Sequence, residues 1–305
     1  MGKIAFVFSG QGAQVPGMGA ELFENSPEAR RVFERADALR PGTSKQCFSG
    51  TEEELRETAN TQPCMVAMEL AAAAALTAAG IRADMTAGFS LGELSALAYA
   101  GAADFDAVFA LVCKRGALMQ RAAEQQPTAM AAVLKLTGEQ VETLCARFRH
   151  VWPVNYNCPG QITVSGEAGE MAEFSAAVKD AGGRALPVKV RGAFHSPYMQ
   201  EASDAFAAEI DKVSFRAPAI PVYADRTAAP YGETIAETLK AQMCHPVLWE
   251  SIVRAMIAAG VDTFVEVGPG RTLCNFIGKT EKSVRCFSVS AMKDIEALAQ
   301  EVGEC

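Results

Sequence analysis

The stretch that most limits what this chain can become is Ala87-Gly88-Phe89-Ser90-Leu91-Gly92-Glu93. A short apolar segment, Asp84-Met85-Thr86-Ala87, precedes it, and residues 94–100 follow with helical spacing and strong helix formers. Strand, G-x-S-x-G, helix is the pattern of a sharp turn, in which glycines on either side of the serine let strand and helix pack together. Such a turn lifts the Ser90 hydroxyl clear of a sheet and aims the following amides at it. A helix starting at Glu93 also favours negative charge there. A glycine-bracketed serine in an ordinary strand–helix loop is the competing reading. The motif is short, so its strand-to-helix context carries the weight.

Composition narrows the class. Half of the 305 residues are hydrophobic, enough for one large domain or one carrying an insertion. The net charge of -8 gives no global attraction to nucleic acid or to an anionic membrane. No apolar run reaches the length of a membrane span; the densest, 71–76, is mostly alanine in a helical pattern. The N-terminal apolar stretch is too short for a signal peptide and reads as a first strand. Nine scattered cysteines without C-x-x-C fit reduced, buried thiols in a cytoplasmic protein. With three histidines and no clustered ligands, no metal site is expected.

Lys3–Phe8 reads as a buried strand, ending in Ser9-Gly10-Gln11-Gly12-Ala13-Gln14. Val15 stands where the third glycine of G-x-G-x-x-G would be, so a dinucleotide loop is rejected. Ser26-Pro27-Glu28 starts a helix, Thr51-Glu52-Glu53-Glu54 is a capping box, and Gln62-Pro63 opens a long helix to residue 79. Asp104 caps a helix to about residue 123 whose apolar face is Val108, Leu111, Val112 and Leu118. Arg115 shares that face, so it needs an acidic partner in the protein or awaits a ligand's carboxylate. From residue 127 the elements read strand 129–136, helix 138–148, strands 151–156 and 161–165, helix 167–181 and strand 184–190. That order is a ferredoxin-like βαββαβ module, inserted over about 127–191 into a large domain of 1–126 plus 192–305. The large part continues with a helix 197–213, a strand 220–223, helices 233–242 and 246–259, and strands 263–267 and 284–289. Strands alternating with helices predict an α/β-hydrolase-like, mostly parallel sheet covered on both faces.

A serine nucleophile needs a base. His150 sits at a strand start in the small module, His245 precedes Pro246, and His195 lies in Gly-Ala-Phe-His-Ser-Pro where the chain returns to the large part. His195 is favoured, because loops at a domain junction form pockets. A triad would need an acid at a strand end between nucleophile and base. Asp104, Asp106, Glu124, Glu139, Glu142, Glu167, Glu170, Glu173 and Asp180 lie in that interval, but none clearly ends a large-domain strand. A Ser–His dyad oriented by a backbone carbonyl is therefore the expectation.

Seven ordered motifs together resemble the malonyl-CoA:acyl-carrier-protein transacylases of bacterial fatty-acid synthesis, relatives of polyketide synthase acyltransferase domains. They are Gly10-Gln11-Gly12-Ala13-Gln14, Gly88-Phe89-Ser90-Leu91-Gly92-Glu93, Lys114-Arg115-Gly116, the run Asn155 to Gln161, Gly192-Ala193-Phe194-His195-Ser196, the run Gln242 to Val247, and Glu266-Val267-Gly268-Pro269-Gly270. The resemblance spans nearly the whole chain. It implies Ser90 as the acylated nucleophile, His195 as base and then acid, and the Gln11 and Leu91 amides as oxyanion hole. It also implies Arg115 on the malonyl carboxylate, Asn155 near the pocket, and the Gln242 carbonyl behind His195. It further implies malonyl-CoA and acyl carrier protein as partners, no resident cofactor and a monomer. Phe194 before the base, and Leu91 after the nucleophile, look like the malonyl-selective type rather than the methylmalonyl one. The chain departs from the family at Phe89, where histidine is usual. Lys189, Arg191, Arg271 and Lys279 are candidates for docking an acidic carrier. A serine thioesterase or hydrolase would share elbow and histidine without needing Arg115, and a trans-acting acyltransferase of a polyketide pathway would share every motif.

Overall fold

The computed structural model describes residues 2–188, 190 and 192–303. Its strands are β1 (Lys3–Phe8), β2 (Met85–Gly88), β3 (Thr128–Leu134), β4 (Val151–Cys158), β5 (Gln161–Glu167), β6 (Arg184–Pro187), β7 (Val222–Tyr223), β8 (Val261–Val267) and β9 (Arg285–Val289). Five form one parallel sheet in the order β7-β2-β1-β8-β9. Its centre, β1, has all residues after Lys3 buried, as a parallel strand covered on both faces requires. Strands β4-β5-β3-β6 form a second, antiparallel sheet. With helices Gly138–Cys145 and Ala168–Asp180 it makes the βαββαβ order, over a core of its own that includes Val133, Val141, Val164 and Phe174. Residues Lys189 and Arg191, on the return path, lie outside the described residues.

Two helices cross beneath the elbow. Helix Thr58–Ala78 is apolar on every side and buries sixteen of its residues. It begins four residues before the predicted Gln62, because Pro63 removes only one intrahelical bond and the first turn forms ahead of it. Helix Phe105–Gln125 packs against it at Gly116, where a Cβ would come within 2.9 Å of the Thr58 carbonyl oxygen. The neighbouring Arg115 is buried. Asp104 precedes this helix, but its carboxylate pairs with Arg216 at 2.7 Å instead of capping an amide.

Two expectations change. Residues 246–248 are not helical: Val247 bridges to β4, donating to the Val154 carbonyl and accepting from the Tyr156 amide, both at 2.9 Å. These bonds to the β4 edge outcompete a helical turn opened by Pro246, and helix Trp249–Ala258 starts later. They also strap the parallel part to the antiparallel sheet. The thiols are not all reduced: Cys274 and Cys286 form a disulfide, while Cys47, Cys64, Cys113, Cys145, Cys158 and Cys244 are free. Helix Thr272–Thr280 folds back beside β9, bringing these two Cα atoms to 5.5 Å despite a separation of 12 residues. Helices Ala20–Asn25, Thr43–Ser49 and Met292–Gly303 lacked a readable signal. Among the described residues, no helix is long and apolar enough to cross a membrane.

The elbow depends on an interlock of glycines. A Cβ on Gly88 would fall 1.8 Å from the Gly92 carbonyl carbon, and one on Gly92 would fall 2.3 Å from the Phe8 carbonyl oxygen. Strand β2, helix Gly92–Tyr99 and β1 therefore meet backbone to backbone. Gly88→Ala is expected to lower the unfolding free energy by about 3 kcal/mol or more, since backbone has no rotamer with which to yield. Gly160→Ala, at φ +71 with open space around it, should cost only about 1–2 kcal/mol. Urea titration of both variants checks the contrast, and equal losses would remove the interlock.

Candidate active site

Ser90 sits at the end of β2 with φ +55, a left-handed conformation that a residue with a Cβ rarely adopts. Side chains hold both of its backbone polar groups. Its N–H donates to Asp225 Oδ2 at 2.7 Å, and its carbonyl accepts from Gln242 Nε2 at 2.6 Å. The Ser90 hydroxyl lies 2.6 Å from His195 Nε2. His195, also left-handed at φ +61, turns Nδ1 toward the carbonyls of Gln242 (3.1 Å) and His245 (3.0 Å). Both neighbours are acceptors, so Nδ1 carries the hydrogen and Nε2 keeps its lone pair for the serine. Burial, and then the Arg115 charge, hold His195 down to about 4, so the ring is neutral and basic at neutral pH.

Arg115 is 1% exposed, and its Nη2 donates to Ser90 Oγ at 3.2 Å and to Gln242 Oε1 at 2.8 Å. Among the described residues no carboxylate forms an ion pair with it, and its Nε has no hydrogen-bond partner. Burial pulls the guanidinium down to about 10, and the more distant Asp225 and Glu93 charges oppose this, so it stays cationic. Of the two readings open for Arg115, the intramolecular ion pair is absent.

These groups face a cavity of about 280 Å³ between the parallel sheet and the antiparallel one. Gln11 lines it from the loop after β1, its Nε2 tied to Thr58 Oγ1 at 3.1 Å. That loop lies directly on the elbow: a Cβ on Gly10 would come 2.9 Å from the Phe89 carbonyl oxygen. Leu91 precedes helix Gly92–Tyr99, where backbone amides have no partner within the helix. Its side chain is wholly buried and does not line the cavity, so it cannot select substrates by contact. Asn155, from β4, lines the cavity with a buried Oδ1 lacking any partner, and Phe194 contributes an apolar wall. Phe89 lines it too, its ring edge-on to Trp249 at 5.6 Å and 6.3 Å from Phe276. Arg271 and Lys279 are exposed, and Lys279 donates to the cavity-lining Gln161 at 3.0 Å.

The other histidines are engaged elsewhere. His150 bonds Glu170 and Glu167 at 3.0 and 3.2 Å, and these three place ligand-type atoms within 4.8 Å of one another. The His245 ring bonds the Ala241 carbonyl, and only its own carbonyl reaches His195. None of the acids weighed between nucleophile and histidine bonds His195. Sequence reasoning missed Asp225, the Gln242 side chain, the His245 carbonyl and the carboxyl of Glu93. Glu93 accepts from the Asp225 amide (2.9 Å), the Tyr231 hydroxyl (2.6 Å) and Gln242 Nε2 (2.6 Å). A signal for Glu93 existed, a single acid in an otherwise apolar helix start. Asp225 follows β7, beyond the interval in which a triad acid would fall.

A fluorophosphonate, which reacts with activated serines whatever their acyl donor, should label Ser90 at a rate set by neutral His195. Protonation removes the lone pair, so labelling should be constant from pH 6 to 8 and fall to half near the His195 value of about 4. A midpoint at the ordinary histidine value of about 6.5 would show that burial and Arg115 do not act on the ring.

Residues 5–301 match the acyl transferase domain family model. A malonyl CoA-acyl carrier protein transacylase of Bacillus subtilis is 38% identical over 100% of this chain and 98% of its own length. The crystal structure of a malonyl CoA-acyl carrier protein transacylase from Clostridium perfringens superposes with a TM-score of 0.96 at 36% identity, covering 99% of this chain and 98% of that one. A malonyl-transacylase solved in complex with a type II PKS acyl-carrier protein superposes at 0.94 with 32% identity, over 98% of this chain and 99% of that one. With motifs, fold and full-length similarity in agreement, the chain belongs to the malonyl-CoA–acyl carrier protein transacylase family of acyl transferase domains.

Proposed function

We propose that this chain moves a malonyl group from malonyl-CoA to the phosphopantetheine thiol of an acyl carrier protein through a malonyl ester on Ser90. The observation that carries the reading is Arg115, a buried cation that among the described residues hydrogen-bonds only to neutral groups, with one Nη2 contact to the Ser90 hydroxyl itself. A malonyl thioester places its carboxylate one methylene from the carbonyl that is attacked, where such a guanidinium can bind it through two parallel hydrogen bonds.

In the first half-reaction Ser90 Oγ bonds to the thioester carbon as its proton passes to His195 Nε2. The carbonyl electron pair moves onto oxygen, facing the amides assigned to Gln11 and Leu91. Donors of this kind contribute about 3–4 kcal/mol to such a transition state. Collapse breaks the C–S bond, and the departing CoA sulfur takes the proton from Nε2. In the second half-reaction the carrier's thiol gives its proton to His195 and attacks the ester, and Ser90 leaves with that proton. The acceptor brings its own phosphopantetheine, so the scheme draws on no resident cofactor. Arg271 and Lys279 near the cavity mouth suit an acidic carrier, and Phe194 limits the space beside the acyl carbon. The setting proposed is the cytoplasm, where the six free cysteines among the described residues would stay reduced and the Cys274–Cys286 disulfide would face the same reducing pool.

Mixing the protein with malonyl-CoA and no acceptor should leave a stable malonyl increment on the Ser90 peptide by intact-mass and peptide spectrometry. The increment should vanish in Ser90→Ala and be cleared by holo acyl carrier protein. Free malonate without a lasting adduct would identify a hydrolase instead. Arg115→Ala should lower kcat/KM for malonyl-CoA about 100-fold or more, from roughly 3 kcal/mol of lost charge-assisted bonding. It should leave acetyl-CoA turnover much less affected; an unchanged malonyl-to-acetyl ratio would overturn the assignment of Arg115.

A further inference from the structure

Asp225 has no part in the steps above, yet it touches the nucleophile more closely than any other carboxyl. It stands two residues past β7, 1% exposed, and does not line the cavity. Its Oδ2 accepts the Ser90 N–H at 2.7 Å. Its own backbone is pinned at both ends: the Asp225 N–H donates to Glu93 Oε1 at 2.9 Å, and its carbonyl accepts from Leu248 N–H at 2.9 Å. Glu93 is fixed in turn by Tyr231 and by Gln242 Nε2, which also reaches Asp225 Oδ2 at 3.4 Å. The acceptor offered to Ser90 is thus rigid, although the peptide that it holds is left-handed at φ +55.

We infer that Asp225 is a positioning residue for the nucleophile: by accepting the Ser90 amide it keeps the turn left-handed and the hydroxyl within reach of His195 Nε2. Without that acceptor, the Ser90 amide is a half-buried donor with no partner among the described residues. The turn then gains by rotating its peptide toward water or another oxygen, and this carries Oγ off the imidazole. Oδ1 of Asp225 has no hydrogen-bond partner, so the side chain serves Ser90 through a single oxygen. An asparagine can supply that oxygen equally well and turn its NH2 toward Glu93. The required feature is therefore an acceptor at this place, not a negative charge. The inference rests on Ser90 being the nucleophile.

The test compares Asp225→Ala and Asp225→Asn with wild type. Its readouts are single-turnover malonylation, steady-state KM and kcat with malonyl-CoA, and fluorophosphonate labelling of Ser90. Asp225→Ala should slow malonylation and labelling together by about 10- to 100-fold, the range for leaving a desolvated donor without its partner, with KM changed less than about threefold. Asp225→Asn should restore both rates to within about threefold of wild type. A folded Asp225→Ala protein reacting at the wild-type rate would overturn the inference, as would an asparagine variant as slow as the alanine one. Hydrogen exchange on the wild-type protein gives an independent reading should the alanine variant not fold: the Ser90 amide should be strongly protected, and unprotected exchange would also overturn it. Labelling needs no malonyl donor, so failure of the malonyl assignment would leave this comparison decisive.

Discussion

The structure turns on one peptide in an unfavourable shape. Ser90 has to be left-handed for its hydroxyl to stand off the sheet, and nothing intrinsic to serine favours that. Two constraints impose it. From below, the interlocked Gly88 and Gly92 bring strand and helix so close that the linking turn has little room for another path. From behind, Asp225 accepts from the N–H that the turn leaves without a backbone partner, and Gln242 donates to the carbonyl, which also accepts the Glu93 amide at 3.3 Å. Gln242 connects the rest. Its amide nitrogen holds Ser90, its amide oxygen holds Arg115, and its backbone carbonyl orients His195. Ser90, His195 and Arg115 are therefore indexed to a single residue from a short helical turn.

Buried carboxyls support both walls of the site. Glu93 and Asp225 lie behind Ser90. Glu69 and Glu266 lie behind the loop that carries Gln11, with Glu69 accepting from Ser95 at 2.6 Å and Glu266 from the Leu273 and Cys274 amides at 3.1 and 2.8 Å. Burial raises the pKa of all four above the ordinary carboxyl value. They act mainly as fixed acceptors of hydrogen bonds. Arg115 forms no ion pair with a carboxylate among the described residues, and after burial its charge is the second cause that depresses the neighbouring imidazole.

What could be read from the sequence was whatever local pattern encodes. G-x-S-x-G announced the elbow, alternating elements announced the parallel sheet, and β-α-β-β-α-β announced the antiparallel module. Arg115 stood out because a cation on an apolar helix face demands a partner. Tertiary competition was not legible. Pro246 looks like a helix start until β4 offers its edge to Val247, and a disulfide between residues 12 apart needs helix and strand to be folded back first. Asp225 was hidden for a related reason. A search for a third catalytic residue looks for acids that reach the histidine, whereas this one reaches the serine's amide from a segment beyond it.

Arg115 also explains how a resting site can be both reactive and restrained. Without an acyl group its Nη2 donates to Ser90 Oγ, the same atom that faces His195. A donor on that oxygen draws off electron density and occupies a lone pair, so it weakens attack on whatever enters the cavity. The Arg115 bonds are to a hydroxyl and an amide oxygen, neutral acceptors that a carboxylate outcompetes, since charge-assisted bonds are roughly twice as strong. Under the proposed reading, a malonyl carboxylate would pull the guanidinium from Ser90 as it binds, releasing the oxygen lone pair when the correct thioester is in place. An acetyl group has nothing with which to displace it. Part of the preference for a carboxylated acyl group would then lie in activating the serine and not only in holding the substrate, so that it appears in kcat as well as in KM.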